Sequence, residues 1–183
     1  MQPQGITYHG VLKIEMSGPV KQEKTLFMTR LMTPDMANFA GNVHGGTILK
    51  LLDEAAFSCA SRYCKTYVMT AALDHVEFKS PIIVGDLVTF KCNINYVGRS
   101  SMEVGIRAEG EKIREKTKYH AISCYFTMIS VNENGIPQQA PTLQIESKTE
   151  QKLSKAGEMR REMRKETKEK NLQLHVGLDT MVT

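Results

Sequence analysis

The chain has 183 residues, 41% hydrophobic and 24% charged, with a net charge of +4, which suits one compact domain with a core and a modest extension. No apolar run is long enough to span a bilayer, and MQPQGITYHGVLKIEMSG lacks the basic start and unbroken apolar stretch of a secretory signal. Membrane insertion and export are therefore not expected, and a cytoplasmic location is.

In chain order, residues 1–19 are mixed and are expected to be peripheral. VKQEKTLFMTRL, from Val20 to Leu31, suits a strand, and TPDMANFAGNVHGG is a loop rich in turn formers. A helix is predicted from Thr47 to Cys64, about 27 Å long at 1.5 Å per residue. TYVMTAALDHVEF reads as a strand, and SPIIVGD as a Pro- and Gly-marked connection. Val88, Phe90, Cys92, Ile94 and Tyr96 then alternate with Lys91, Asn93 and Asn95. After a Gly98-Arg99 turn, Met102, Val104, Ile106 and Ala108 alternate with Glu103, Arg107 and Glu109. YHAISCYFTMISV is apolar on both faces and predicts a central, doubly covered strand. The last three strands are expected to follow on hairpin-like connections. One long helix cannot flank a parallel sheet on both faces, so the economical arrangement is an α+β fold, a five-stranded antiparallel sheet wrapped around that helix.

Four cysteines (Cys59, Cys64, Cys92 and Cys124) lie in apolar stretches without CxxC spacing or a partnered His cluster. Buried free thiols in a reducing compartment are expected, with no disulfide framework and no metal. His75 is assigned to packing on its strand.

The central helix carries its own puzzle. Lys50, Glu54, Ser58, Ser61 and Arg62 form a polar stripe at 100° per residue, while Asp53 sits on the shoulder of the apolar face among Leu49, Ala56, Phe57 and Ala60. A carboxylate there is partly withdrawn from water, with small neighbours leaving room for a second group. The spacing equally allows Asp53 to pair with Lys50 one turn earlier. Gly45-Gly46 opens the helix, where free amides and the positive end of the dipole can receive an anion or a developing oxyanion. The same pair also serves as a plain loop-to-helix turn. His44 borders these glycines and is read as an orienting residue or loop support.

The stretches RLMTPDMANFAGNVHGGTILKLLDEAA, TAALDHVEFKSPIIVGDLVTF and VGRSSMEV, in this order and spacing, closely resemble the acyl-coenzyme A thioesterases of the hot-dog fold. The resemblance covers residues 20–134, taken as the domain, with 1–19 before it and a tail at 135–183. It implies hydrolysis of fatty acyl-CoA to fatty acid and coenzyme A, in fatty acid metabolism. No cofactor is implied, because coenzyme A is part of substrate and product. It further implies a homodimer with shared active sites, assembled as a hexamer (a trimer of dimers). Asn38 from one subunit would work with Asp53 from the other. Asp53 would act as general base on water or attack directly, the alternatives remaining open, while Asn38 positions water or carbonyl. The backbone N–H of Gly46, with that of Gly45, would form the oxyanion hole, and His44 would orient substrate. Asp74 and Val76 would border the pantetheine groove, and Phe57, Met69 and Phe78 the acyl groove. Gly98, Arg99, Ser100 and Ser101 would lie near the nucleotide, with Arg62 and Lys79 as weaker phosphate candidates.

The tail has helical composition. Residues 148–170 hold nine of the 24 Lys and Arg and five of the 20 acids, so the whole charge excess of +4 lies there. The expected docking edge is Leu153, Ala156, Met159 and Met163, with the charged residues solvated. The tail lacks interleaved aromatics, so nucleic acid is not an expected partner. Two other functions fit the same fold: a hot-dog dehydratase, which the Asn38 and Asp53 pair argues against, and a non-catalytic acyl-CoA or lipid-binding module. Release of thiol from acyl-CoA separates an enzyme from a binding module.

Overall fold

The computed structural model describes residues 22–174. The expected peripheral segment 1–19, the first residues of the predicted first strand (Val20 and Lys21) and the end of the tail from 175 to 183 lie outside the described residues. The elements are β1 (Thr25–Leu31), a 3-10 turn (Pro34–Met36), α1 (Gly45–Cys64), β2 (Tyr67–Phe78), β3 (Leu87–Val97), β4 (Ser101–Lys112), β5 (Thr117–Val131) and α2 (Lys148–Gln173).

α1 forms where the sequence predicts it because its apolar positions recur at helical spacing and both ends are capped. The imidazole of His44 accepts from the Gly46 amide at the start. At the end Lys65 takes a left-handed conformation (φ 57°), and its amide closes onto the Ser61 carbonyl at 2.8 Å. Ile48, Leu52, Ala55, Ala56, Cys59 and Ala60 are buried against the sheet. They meet the alternate residues of β3 (Val88, Phe90, Cys92 and Ile94), of β4 (Met102, Val104, Ile106 and Ala108) and of β5 (Ile122, Cys124, Phe126 and Met128), all buried. The four thiols are free and buried within this core.

All strand pairs are antiparallel, in the order β1-β3-β4-β5-β2. This corrects the expected connectivity. β3–β4 and β4–β5 are hairpins, but β2 pairs with β5, so the segment between β2 and β3 crosses from one edge of the sheet to the strand beside β1. Alternation in sequence states which face a residue takes and not which strand lies next to it. The crossing segment is held at Asp86, a buried carboxylate that accepts from the Tyr119 hydroxyl and from the Ile83 amide. β4 therefore occupies the centre, with β5 one place toward the edge.

A second correction concerns Tyr96. Ile94 pairs with Val104 and Tyr96 with Glu103, so Asn95 is an extra residue that turns Tyr96 away from the inner face. Tyr96 and Glu103 instead meet α2, which lies across the outer face of the sheet. Ser147 and Glu150 form a capping box at its start, with Ser147 Oγ accepting from the Glu150 amide at 3.1 Å and Glu150 Oε2 from the Glu146 amide at 2.6 Å. The buried Lys24 ammonium binds Glu146 at 2.9 Å and Glu150 at 2.7 Å.

The docking face of α2 is only partly the one its apolar residues indicate, with Leu153 and Ala156 half-buried. Met159 and Met163 are exposed, while Gly157 is buried and Arg160 and Arg164 turn inward. Arg160 binds Glu103 through two hydrogen bonds of 3.0 and 2.6 Å and stacks over the Tyr125 ring at 3.8 Å. Glu103, expected to face solvent, is only 2% exposed, because this helix covers it. No helix among the described residues is long and apolar enough to cross a membrane.

Candidate active site

The loop before α1 is folded around a single side chain. Asn38 Oδ1 accepts from the amides of Ala40 at 2.9 Å and Asn42 at 3.2 Å, while the Asn38 carbonyl receives the Gly41 amide at 3.0 Å. Gly41 completes the turn with φ of 80°, a conformation that glycine adopts without strain. With its oxygen held by two donors, the Asn38 amide is oriented, and its NH2 has no protein partner among the described residues. Asn38 and Gly45 line one open cavity of about 310 Å3, together with Phe78, Lys79 and Ile82.

At the helix start His44 Nδ1 accepts from the Gly46 amide at 2.9 Å, which leaves the ring proton on Nε2. The Gly46 N–H, expected to face an oxyanion, is thus taken up by His44. The amides of Gly45 and Thr47 have no protein partner among the described residues and are the free donors of this helix end.

Asp53 lies two turns further on, about 12 Å along the axis from Gly45 at 1.5 Å per residue. It does not pair with Lys50, which instead approaches Glu54 at 3.8 Å. Asp53 Oδ1 accepts from Thr70 Oγ1 of β2 at 2.7 Å. Oδ2 has no protein partner among the described residues. Within one protomer Asp53 does not line the Asn38 cavity, and among the described residues no hydrogen bond connects the two.

The remaining predicted residues divide. Asp74 is bonded to Arg164 of α2. Val76 packs against the core, and Phe78 is exposed at the rim of the Asn38 cavity. His75 is exposed, which removes the packing role assigned to it. Phe57 meets Tyr67 edge-on at 5.7 Å between ring centroids, and Met69 is exposed. Gly98, Arg99, Ser100 and Ser101 form the β3–β4 turn, tied by the Gly98 amide to the Ser101 carbonyl at 2.8 Å. The Arg99 side chain is exposed and makes no ion pair among the described residues. Arg62 pairs with Glu23 at 2.6 Å and Lys79 with Glu77 at 2.9 Å. Burial pushes the Cys59 and Cys124 thiols up to about 12 and Cys64 to about 11, far from thiolate chemistry. No cluster of three metal-ligating side chains occurs among the described residues.

Sequence reasoning missed Thr70, Arg160 and Arg164. A threonine in a strand is ordinary, and what marks Thr70 is its place opposite Asp53. The arginines stood within a charged run that composition assigns to solvent.

Known proteins resemble this chain in sequence and in fold. Residues 40–117 match the thioesterase superfamily. Protein VdlD of Helicobacter pylori is 44% identical over 139 residues, covering 76% of this chain and 79% of that one. An apo-hexameric acyl-CoA thioesterase has 31% identity and a TM-score of 0.76, over 82% of this chain and 96% of its own. The acyl-CoA hydrolase of Staphylococcus aureus, solved with butyryl coenzyme A and coenzyme A, has 25% identity and a TM-score of 0.77, over 88% and 96%. The same enzyme has also been solved with single alanine replacements of an Asn, an Asp and a Thr.

Proposed function

The chain belongs to the thioesterase superfamily of hot-dog hydrolases, and from that premise we propose that it hydrolyses fatty acyl-CoA to free fatty acid and coenzyme A at a site shared between two copies. Asp53 of one protomer acts as general base. Its Oδ1 is oriented by Thr70, and the free Oδ2 takes a proton from the attacking water. Asn38 of the other protomer donates through its NH2, with the Gly45 amide beside it, to the thioester oxygen as negative charge develops there. The tetrahedral intermediate collapses by expelling the coenzyme A thiolate, a good leaving group. His44 serves this site by holding the Gly46 amide and fixing the helix start.

The observation that carries this reading is the Asp53–Thr70 hydrogen bond. The Asn, Asp and Thr replaced in the S. aureus structures are separated by the same intervals as Asn38, Asp53 and Thr70 here. The two-copy site is supported by what each copy leaves uncovered. Phe39, next to Asn38, is fully exposed, and the edge strand β2 exposes Tyr67, Met69, Leu73 and Phe78. An apolar edge strand is a template for pairing with another chain. The β2 edges of two copies therefore join. This would bring the Asn38 loop of one over the Asp53 helix face of the other. Dimers assemble further into hexamers. The exposed Arg99 with Ser100 and Ser101 receives nucleotide phosphate, and Val76 and Phe78 flank the pantetheine and acyl arms, while the Asp74 carboxylate is held by Arg164.

Thiol release from palmitoyl-CoA and a short acyl-CoA tests the activity. The wild-type protein releases thiol, and Asp53→Asn binds acyl-CoA without releasing it. Binding without release by the wild type would leave an acyl-CoA-binding module instead.

A further inference from the structure

β2 is held from both faces of the sheet over one short stretch. Thr70 pairs with Met128, but the next pair is Ala72 with Thr127, so Ala71 is an extra residue in the ladder. In a regular strand residues 70 and 74 would share a face; the bulge sends them to opposite ones. Thr70 therefore faces α1, where it donates to Asp53. Asp74 faces α2, where the Arg164 guanidinium donates to it. A second irregularity follows at once, because the ladder goes from Asp74–Tyr125 to Glu77–Ser123, three residues against two. Ala72–Asp74 is thus a small island of regular pairing between two breaks, on a strand whose one neighbour within the protomer, among the described residues, is β5.

The helix that supplies Arg164 is fixed independently of β2. Gly157 lies so close to the sheet that a Cβ there would stand 2.7 Å from Tyr96 Cβ. Arg160 grips Glu103, and Lys24 holds the helix start. α2 is a rigid bar across the outer face, and Arg164 is its one ion-pair contact with β2 among the described residues.

We propose that Arg164 is a positioning residue for the active site: by clamping Asp74 to α2 it holds the island of β2 that keeps Thr70 against Asp53. The inference rests on the catalytic reading of Asp53 and Thr70. Asp74 and Arg164 are about three-quarters buried, with side chains 24% and 28% exposed. Removing the guanidinium leaves a partly desolvated carboxylate without its partner. The island then relaxes between its two bulges, and the Thr70 hydroxyl loses its fixed place.

The test compares Arg164→Ala, Arg164→Lys and, as a control on an exposed residue of the same helix, Lys165→Ala. For Arg164→Ala, kcat with acyl-CoA falls about tenfold while KM changes less than twofold, as displacement of a catalytic group without loss of substrate contacts requires. Arg164→Lys, which keeps the charge, recovers most of the turnover, and Lys165→Ala matches wild type. Amide hydrogen exchange at residues 70–74 is faster in Arg164→Ala, while the β3–β4 hairpin is unchanged. A folded Arg164→Ala protein with wild-type kcat, or with exchange unchanged at 70–74, overturns the inference. A loss of turnover in equal measure for Lys165→Ala does so too. Absence of thiol release by the wild-type protein removes the catalytic reading itself; release that Arg164→Ala leaves intact removes only this inference.

Discussion

Asp53 takes its place in the account from the groups around it. Its expected competitor, Lys50, turns to Glu54, and the carboxylate is oriented by Thr70 instead. Each member of the set then has a separable effect. Removing the base by Asp53→Asn lowers kcat by about 10²–10⁴-fold, the ordinary contribution of a general base. Asn38→Ala, which removes one donor to the developing oxyanion, lowers it by about 10²–10³-fold. Thr70→Ala, which only frees a carboxylate to rotate, has a smaller effect. Steady-state kinetics on the three folded proteins checks the order, and equal losses at Thr70 and Asp53 would contradict it. At the same scale, Cys59, Cys64 and Cys124 have folded values of about 12, 11 and 12 against an ordinary 9.0, raised chiefly by burial. Below pH 9 both folded and unfolded thiols are protonated and the effect on stability is nil; above it only the unfolded chain ionises. Stability therefore falls as pH rises from 9 toward 12, and alkylating reagents reach these thiols only on unfolding. Denaturant titrations at pH 8 and pH 10 read the first effect, and mass spectrometry after alkylation the second. The sequence singled out Asp53 as an acid on an apolar shoulder, but its spacing alone left a pairing with Lys50 equally open, and its proposed role came from the family resemblance. Thr70 was not singled out, since its meaning comes from a strand that packs opposite the helix.

Elements with local causes could be read before the structure was known. The β3–β4 hairpin declares itself by alternation over consecutive residues, and α1 by its spacing. Both depend on neighbours a few positions away. The bulge at Asn95 already exceeds that reach, because it is defined by a two-against-one match with β4. α2 misleads more thoroughly. Its docking face adds a glycine and two arginines to the half-buried Leu153 and Ala156, since the surface it meets carries Glu103, Tyr125 and Asp74. The composition of a helix identifies its partner only when that partner is a hydrophobic core. Gly157 gives the direct check. In an isolated helix Gly→Ala is favourable by about 1 kcal/mol, yet here a Cβ would meet Tyr96 Cβ at 2.7 Å and Glu103 Oε1 at 3.1 Å. The Tyr96 Cβ is tied to the backbone of β3 and cannot swing aside. Gly157→Ala therefore destabilises, by about 1–3 kcal/mol as overpacking does, and lowers the melting temperature. A rise in melting temperature would mean that α2 does not lie against β3.

At the scale of the molecule, the sheet wrapped around one helix was legible, but the position of β2 was not. Periodicity assigns faces, and only long-range pairing puts β2 beside β5 with its other side open. On the proposed reading, that position gives one protomer half of two sites. The Asn38 loop carries donors and a cavity, and the Asp53–Thr70 pair stands elsewhere on the same copy with no bond to it. Exposed apolar residues on β2, and Phe39 beside Asn38, require cover by another surface. In the proposed dimer a second copy would satisfy both needs at once through a two-fold axis. The most direct measurement mixes two inactive variants, Asp53→Asn and Asn38→Ala, under conditions that allow subunits to exchange. Random pairing yields half mixed dimers with one intact site in two, so thiol release from acyl-CoA returns to about a quarter of the wild-type rate. If the subunits exchange and the mixture stays as inactive as either variant alone, each copy works by itself and the shared site is contradicted.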